Sequence, residues 1–268
     1  MSLPRRCVVF LSMFKSGTHL GRRLLAEMLE QPCFEPAIVR GRVDYEDSGQ
    51  LYCPEGSFYS WHLQPNSAAI ETIRAAAARP ILLVRNLFDL CVSQYHHFAD
   101  NIDADRGRGR NVQHYFEAMS RSDGLSAIVE GMARSDFRWR GLPYQIAHLE
   151  KLLDLAEAHP CCLMTYEQMV DDKRVALGRL AQFLSVEARD GWLDDLVAAT
   201  SFQAMKTQAQ VRGQASHFRR GRSGSHVDSL QPAHIQAISG MIDRVSPTLR
   251  ERCARWGISA VLERGSGS

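Results

Sequence analysis

The chain has 268 residues, with 45% apolar and 23% charged side chains and a formal charge of +2. That length can bury one sizeable α/β core, and the composition is that of an ordinary soluble globular protein. So small a net charge excludes nucleic-acid binding driven by overall electrostatics. Pro4, Arg5 and Arg6 lead into only a short apolar run, Cys7–Leu11, so no signal peptide is expected, and nothing approaches the ~20 apolar residues that a membrane span needs.

In chain order, Cys7–Leu11 reads as a buried strand, Ser12–Gly17 as a turn and Thr18–Glu30 as a helix with Leu20, Leu24, Leu25, Met28 and Leu29 on one side. Residues 31–56 carry three prolines and little periodicity, and are expected to run over the surface. Phe58–His62 reads as a second strand, Ser67–Arg79 as a helix stopped at Pro80, and Ile81–Arg85 as a third strand. Asn86 is placed to cap a helix reaching about Phe98. Residues 100–110 are charged and glycine-rich, a loop. Helical pieces follow over Val112–Arg134 and Leu142–His159, then a fourth strand, Cys161–Thr165. Further helices are expected over Asp171–Leu184, Trp192–Met205 and, broken at Pro247, Pro232–Trp256. Between them, residues 208–228 are rich in Arg, Gly and Ser and are expected at the surface. Strands apolar on both faces that alternate with helices predict a P-loop-like three-layer α/β sandwich with a central, mainly parallel sheet. Ligands of such folds sit at the carboxyl ends of the strands. One domain is expected over residues 1–262, with a flexible tail at 263–268.

Seven cysteines are irregularly spaced with no C-x-x-C pair, so reduced thiols and a cytoplasmic setting are expected, with no structural metal. His96-His97 and Cys161-Cys162 make no chelate by themselves, because neighbouring residues point apart on regular elements.

The turn between the first strand and first helix reads Ser12-Met13-Phe14-Lys15-Ser16-Gly17-Thr18-His19. Small residues let backbone N–H groups converge, the helix N-terminus adds partial positive charge, Lys15 adds a full one, and Ser16 and Thr18 add hydroxyls. That suits a phosphate-like anion, although a surface lysine on an ordinary turn has the same sequence. Lysine precedes the Ser-Gly-Thr instead of following a glycine, which disfavours a Walker-type Mg²⁺–nucleotide site.

The phrase FLSMFKSGTHLGRRLL resembles the 5′-phosphosulfate loop, PKSGTTW, of sulfotransferases that use 3′-phosphoadenosine 5′-phosphosulfate (PAPS). Three more segments match that family in order. ILLVRNLFDLCVSQYHHF resembles its 3′-phosphate segment, with Arg85 and Ser93 in the arginine and serine places. CLMTYE resembles the strand whose tyrosine contacts adenine, here Tyr166. Thr200-Ser201-Phe202-Gln203-Ala204-Met205-Lys206 and Phe218-Arg219-Arg220-Gly221 resemble its T-S-F-x-x-M-K and R-K-G segments, around adenine and over the 3′-phosphate respectively. The resemblance implies donor contacts from Lys15, Ser16, Gly17, Thr18, His19, Arg85, Ser93, Tyr166, Thr200, Phe202, Met205, Phe218, Arg219, Arg220 and Gly221. A planar guanidinium suits a phosphate, and a hydroxyl eight residues on can reach the same group.

Ser60-Trp61-His62-Leu63 resembles the family's K-T-H-L, in which the histidine is the base. The resemblance makes His62 the base, Lys15 the stabiliser of the leaving phosphate, and Ser93 a restraint on Lys15. Departures are clear: Phe14 replaces the proline before the lysine, Leu20 a tryptophan that stacks on adenine, Ser60 a lysine, Arg220 the R-K-G lysine, and Gly224-Ser225-His226 a Gly-Asp-Trp. A C-terminal K-x-x-x-T-V-x-x-x-E dimer motif is absent, and the sequence sets no oligomeric state. The implied reaction passes a sulfuryl group from PAPS to a hydroxyl or amine and leaves adenosine 3′,5′-bisphosphate (PAP). A small-molecule acceptor is expected, with a glycan or lipid head group as alternatives. The aromatics Phe34, Tyr45, Tyr52, Tyr115, Phe116, Phe137 and Trp139 are candidate acceptor contacts or core. A P-loop kinase of a small alcohol or nucleoside, and a non-catalytic PAP-binding protein, are the competing readings.

Overall fold

The computed structural model describes residues 3–36, 51–100, 112–187, 191–211 and 221–264. Among these, five strands form one parallel sheet: β1 (Val8–Ser12), β2 (Cys33–Phe34), β3 (Phe58–Trp61), β4 (Arg79–Val84) and, after a separate hairpin, β7 (Cys162–Thr165). The sheet order is β2-β3-β1-β4-β7. The hairpin pairs β5 (Met132–Ala133) with β6 (Arg138–Trp139) antiparallel.

Parallel strands need covered faces, and both sets of side chains here are buried. On one face Val8, Phe10, Ile81, Leu83, Cys162 and Met164 share a core with Leu24, Leu25 and Met28 of helix α1 (Thr18–Leu29). Helices α8 (Lys173–Leu184) and α9 (Trp192–Ala199) complete that layer through Leu177, Leu180, Leu184 and Leu196. Gly21 lets α1 lie on the Phe10 ring, because a Cβ there would come within 2.2 Å of Phe10 Cζ. On the other face Val9, Leu11, Leu82 and Leu163 are buried.

Two compact units emerge from the contacts: Met1–Val84 with His148–Ser201, and Arg85–Ala147 with Phe202–Ser268. The first holds the sheet. The second is helical, built from α3 (Leu87–Ala99), α4 (Gln113–Glu117), α5 (Arg121–Glu130), the hairpin, α10 (Phe202–Val211), α11 (Pro232–Val245), α12 (Leu249–Arg255) and a 3₁₀ turn over Ser259–Leu262. The remaining elements are α2 (Ser67–Ala75), α6 (Gly141–Ala158) and α7 (Tyr166–Asp171). All seven cysteines are free thiols. Among the described residues no helix is long and apolar enough to cross a membrane.

Several expectations need correction. The helix expected to Arg79 ends at Ala75, and β4 starts at Arg79, so Pro80 lies inside a strand. Proline fits because Arg79 donates to the Cys7 carbonyl on the β1 side, while pairing with β7 starts only at Ile81. No ladder bond therefore needs the missing N–H. The segment 31–56 adds an edge strand, β2, and buries Leu51 and Cys53. The segment 208–228 is not all surface: Ser225 and His226 are 1% and 3% exposed.

Candidate active site

The residues that directly follow the carboxyl ends of β3, β1, β4 and β7 are His62, Met13, Arg85 and Tyr166. The strand order changes direction around β1, whose neighbours are β3 and β4. This is where open parallel sheets bind ligands.

In the sheet-bearing unit, the turn from β1 to α1 is tightly braced. Met13 N–H donates to the Leu83 carbonyl at 3.2 Å, and Ser16 N–H to the Met13 carbonyl at 3.1 Å. The Ser16 hydroxyl donates to the Met13 carbonyl at 2.7 Å and lies 3.2 Å from that of Leu83. Ser16 is fully buried, so its side chain holds the turn while its neighbours face outward. The Thr18 hydroxyl lies 2.9 Å from that of Ser12. Lys15 and Gly17 both have positive φ, 71° and 97°. Such alternation turns successive N–H groups into a concave anion nest, and a lysine held left-handed is uncommon enough to point to function. Gly17 is required twice over, since a Cβ would stand 2.5 Å from Tyr166 Cδ2. Tyr166 is thereby laid against the cradle. It opens α7, whose N-terminus carries a capping box between Thr165 and Gln168.

His62 follows β3, with its Nδ1 2.8 Å from the Ser12 carbonyl and 3.3 Å from the Ser12 hydroxyl. A carbonyl only accepts, so Nδ1 carries a proton, and Nε2 is the nitrogen that can give one up or take one. Phe14 meets the ring edge-on at 5.8 Å between centroids. Behind it, fully buried His148 donates from Nε2 to the Leu63 carbonyl at 3.0 Å. Burial, with a smaller contribution from the nearby His62, pushes His148 down to about 3, so it is neutral near pH 7.

Sequence reasoning missed Arg22. Its Nε donates to the Ser60 hydroxyl at 2.8 Å, and its guanidinium pairs with Glu35 at 2.7 Å. Ser60, where the resemblance expects a lysine, thus receives a cation from one turn into α1. Helical spacing from Thr18 to Arg22 was the signal available. Thr200 is also in this unit; its hydroxyl donates to the Leu196 carbonyl at 2.6 Å and its own carbonyl accepts from Lys173 at 2.7 Å. It closes α9, and its side chain is turned to its own helix.

The second unit begins at Arg85, which is 7% exposed. Asn86 caps α3, accepting from the N–H groups of Phe88 and Asp89 at 3.0 and 3.1 Å. Its amide donates to the carbonyls of Ala260 and Glu263. Ser93 stands on α3, half-buried. Gly221 has φ 62°, and its Cα faces the Phe202 ring so closely that a Cβ would lie 2.0 Å from Cδ2. Met205 is buried one turn along α10, and Lys206 lies 6.0 Å over Phe202. Phe218, Arg219 and Arg220 lie outside the described residues, as does Tyr45. Of the candidate acceptor aromatics, Phe116, Phe137 and Trp139 pack on Phe98, at 5.9, 5.4 and 5.1 Å between centroids.

With this geometry in hand, the comparisons are direct. The model of the sulfotransferase domain matches residues 8–255. Cytosolic sulfotransferase 15 of Arabidopsis thaliana is 25% identical over 199 residues, covering 69% of this chain; the chain spans about half, 51%, of that relative's length. In fold, mouse sulfotransferase SULT7A1 complexed with PAP superposes with a TM-score of 0.68 at 16% identity, over 96% of this chain and 90% of that one. Retinol dehydratase in complex with retinol and PAP gives 0.55 at 15% identity, over 94% and 82%. The chain belongs to the sulfotransferase domain family.

Proposed function

We propose that this chain is a single PAPS-dependent sulfotransferase domain over residues 1–262 that acts on a hydroxyl or amine of a small-molecule acceptor. The observation that carries the reading is the His62–Ser12 bond. It fixes the proton on Nδ1 and leaves Nε2 as the nitrogen for proton transfer, beside the positively charged turn that Ser12 opens. PAPS supplies the activated sulfuryl group. The chain supplies position and charge, in line with transfer chemistry that asks little covalent work of the protein.

His62 takes the acceptor's proton at Nε2 as the acceptor oxygen bonds to sulfur. Lys15, the N–H groups of the nest and the start of α1 meet the charge that grows on the leaving 5′-phosphate oxygen. Arg22, held at Ser60, adds the second cation on that side. Arg85 and Ser93, with Arg219, Arg220 and Gly221, hold the 3′-phosphate. Tyr166, Phe202 and Met205 pack the adenine, with Thr200 ordering the chain between them. The relatives support a small acceptor: retinol and androsterone are named in the complexes of retinol dehydratase.

The test is transfer from sulfur-labelled PAPS to a panel of phenols, alcohols and amines, with PAP and Mg²⁺–ATP binding measured in parallel. Labelled product and PAP binding without added metal are expected. Tight Mg²⁺–ATP binding with no PAP binding would turn the assignment to a kinase. PAP binding without transfer or donor hydrolysis would leave a non-catalytic binder.

A further inference from the structure

A buried carboxylate in the second unit has no part in the chemistry above. Asp89 is fully buried in the first turn of α3, between Arg85 and Ser93 in sequence. It accepts four hydrogen bonds from one short segment: Gly224 N–H at 2.7 Å, the Ser225 hydroxyl at 3.1 Å, His226 N–H at 2.8 Å and His226 Nδ1 at 2.9 Å. The other His226 nitrogen, Nε2, lies 2.9 Å from the Arg264 carbonyl. Both ring nitrogens therefore face acceptors, so both carry protons and the ring is an imidazolium. The charge of Arg85 acts on the same carboxylate. The charges of Arg85 and of the His226 ring thus both act on this one anion. Three bonds to Oδ1 and one to Oδ2, all from a segment three residues beyond Gly221, are more than packing needs, since a buried carboxylate is costly unless its partners repay it.

We propose that Asp89 is a positioning residue. It ties the Gly224–His226 segment to the start of α3, and so fixes Arg85 and the Gly221 turn for the 3′-phosphate of the donor. This rests on the donor assignment above. The carboxylate sets guanidinium orientation through charge and sets the loop through four bonds, while touching no ligand itself.

The experiment compares PAP with 5′-AMP, which lacks the 3′-phosphate, by calorimetry on wild type, Asp89→Asn and Ser225→Ala. Asparagine keeps the shape but turns an N–H₂ toward donors, so PAP affinity should fall about tenfold or more, while AMP affinity should change less than about threefold. Ser225→Ala removes one of the four bonds and should lower the PAP-to-AMP ratio in the same direction by less. If Asp89→Asn does not fold, Ser225→Ala decides alone. Equal losses for both ligands, or an unchanged ratio, would make Asp89 a purely structural residue and overturn the proposal. A wild-type protein that binds PAP no better than AMP would instead sink the 3′-phosphate assignment on which the proposal stands.

Discussion

The proposed base is oriented by one hydrogen bond. With Nδ1–H committed to the Ser12 carbonyl, Nε2 is the nitrogen that the proposed proton transfer would use. General bases contribute about 10²–10⁴-fold, so His62→Ala should lose that much kcat while PAP affinity stays within about threefold. Steady-state kinetics beside calorimetry separate the two; near wild-type kcat removes His62 from the mechanism. Arg22 makes a second test. Arg22→Met keeps the stem that lies along α1 and deletes the charge at Ser60, so kcat/KM for PAPS should fall about tenfold or more, with Arg22→Lys recovering part of it. An unaltered kcat/KM would confine Arg22 to its ion pair with Glu35. His62 was legible as a histidine ending a strand, and Lys15 as a lysine in a small-residue turn. Arg22 was not, because its role follows from a contact between α1 and β3 that no local pattern encodes.

At the scale of the element, the proposed cradle would separate binding from stability over five residues of the β1–α1 turn. Gly17 sits at φ 97° under the Tyr166 ring, and Gly21 sits in ordinary helix geometry over the Phe10 ring. Gly17→Ala must pay for a left-handed alanine and push Tyr166 away, so donor affinity should fall by more than tenfold. Gly21→Ala meets the same kind of clash in the core, 2.2 Å from Phe10 Cζ, and should destabilise the fold by about 1–3 kcal/mol, a few degrees of Tm. Calorimetric melting and PAP titration of the two variants should show opposite emphasis. Equal loss of stability with no difference in binding would place the cradle elsewhere. The longer elements were read well because apolar periodicity and caps are local: Asn86 caps α3 as expected. The two-residue strands β2, β5 and β6 are too short for any period to register. Residues 224–226 were misread because glycine and serine look like surface until a buried Asp89 supplies their partners.

At the scale of the whole molecule, two of the buried titrating groups, His148 in one unit and Asp89 in the other, predict how it fails in acid. His148 is held near 3, far below the usual histidine value of about 6.5, so the folded state refuses a proton that the unfolded chain takes up. Between those values the unfolded state binds more protons, and stability falls as pH falls, by at most about 1.4 kcal/mol per pH unit. Above about pH 6.5 this group contributes no slope. Asp89 acts lower. Burial pushes its carboxyl up, but the hydrogen bonds of His226 and the charge of Arg85 outweigh that and leave it below its ordinary value. Its contribution is complete above about pH 4, the unfolded carboxylate value, and is lost as pH drops through the lower folded one. Urea unfolding at intervals from pH 7.5 to 4 should therefore show a decline that His148→Gln flattens between about pH 6.5 and 4. A wild-type curve that is level across the window would mean that the His148 ring is protonated in the folded state, and the neutral wall behind His62 would have to be abandoned.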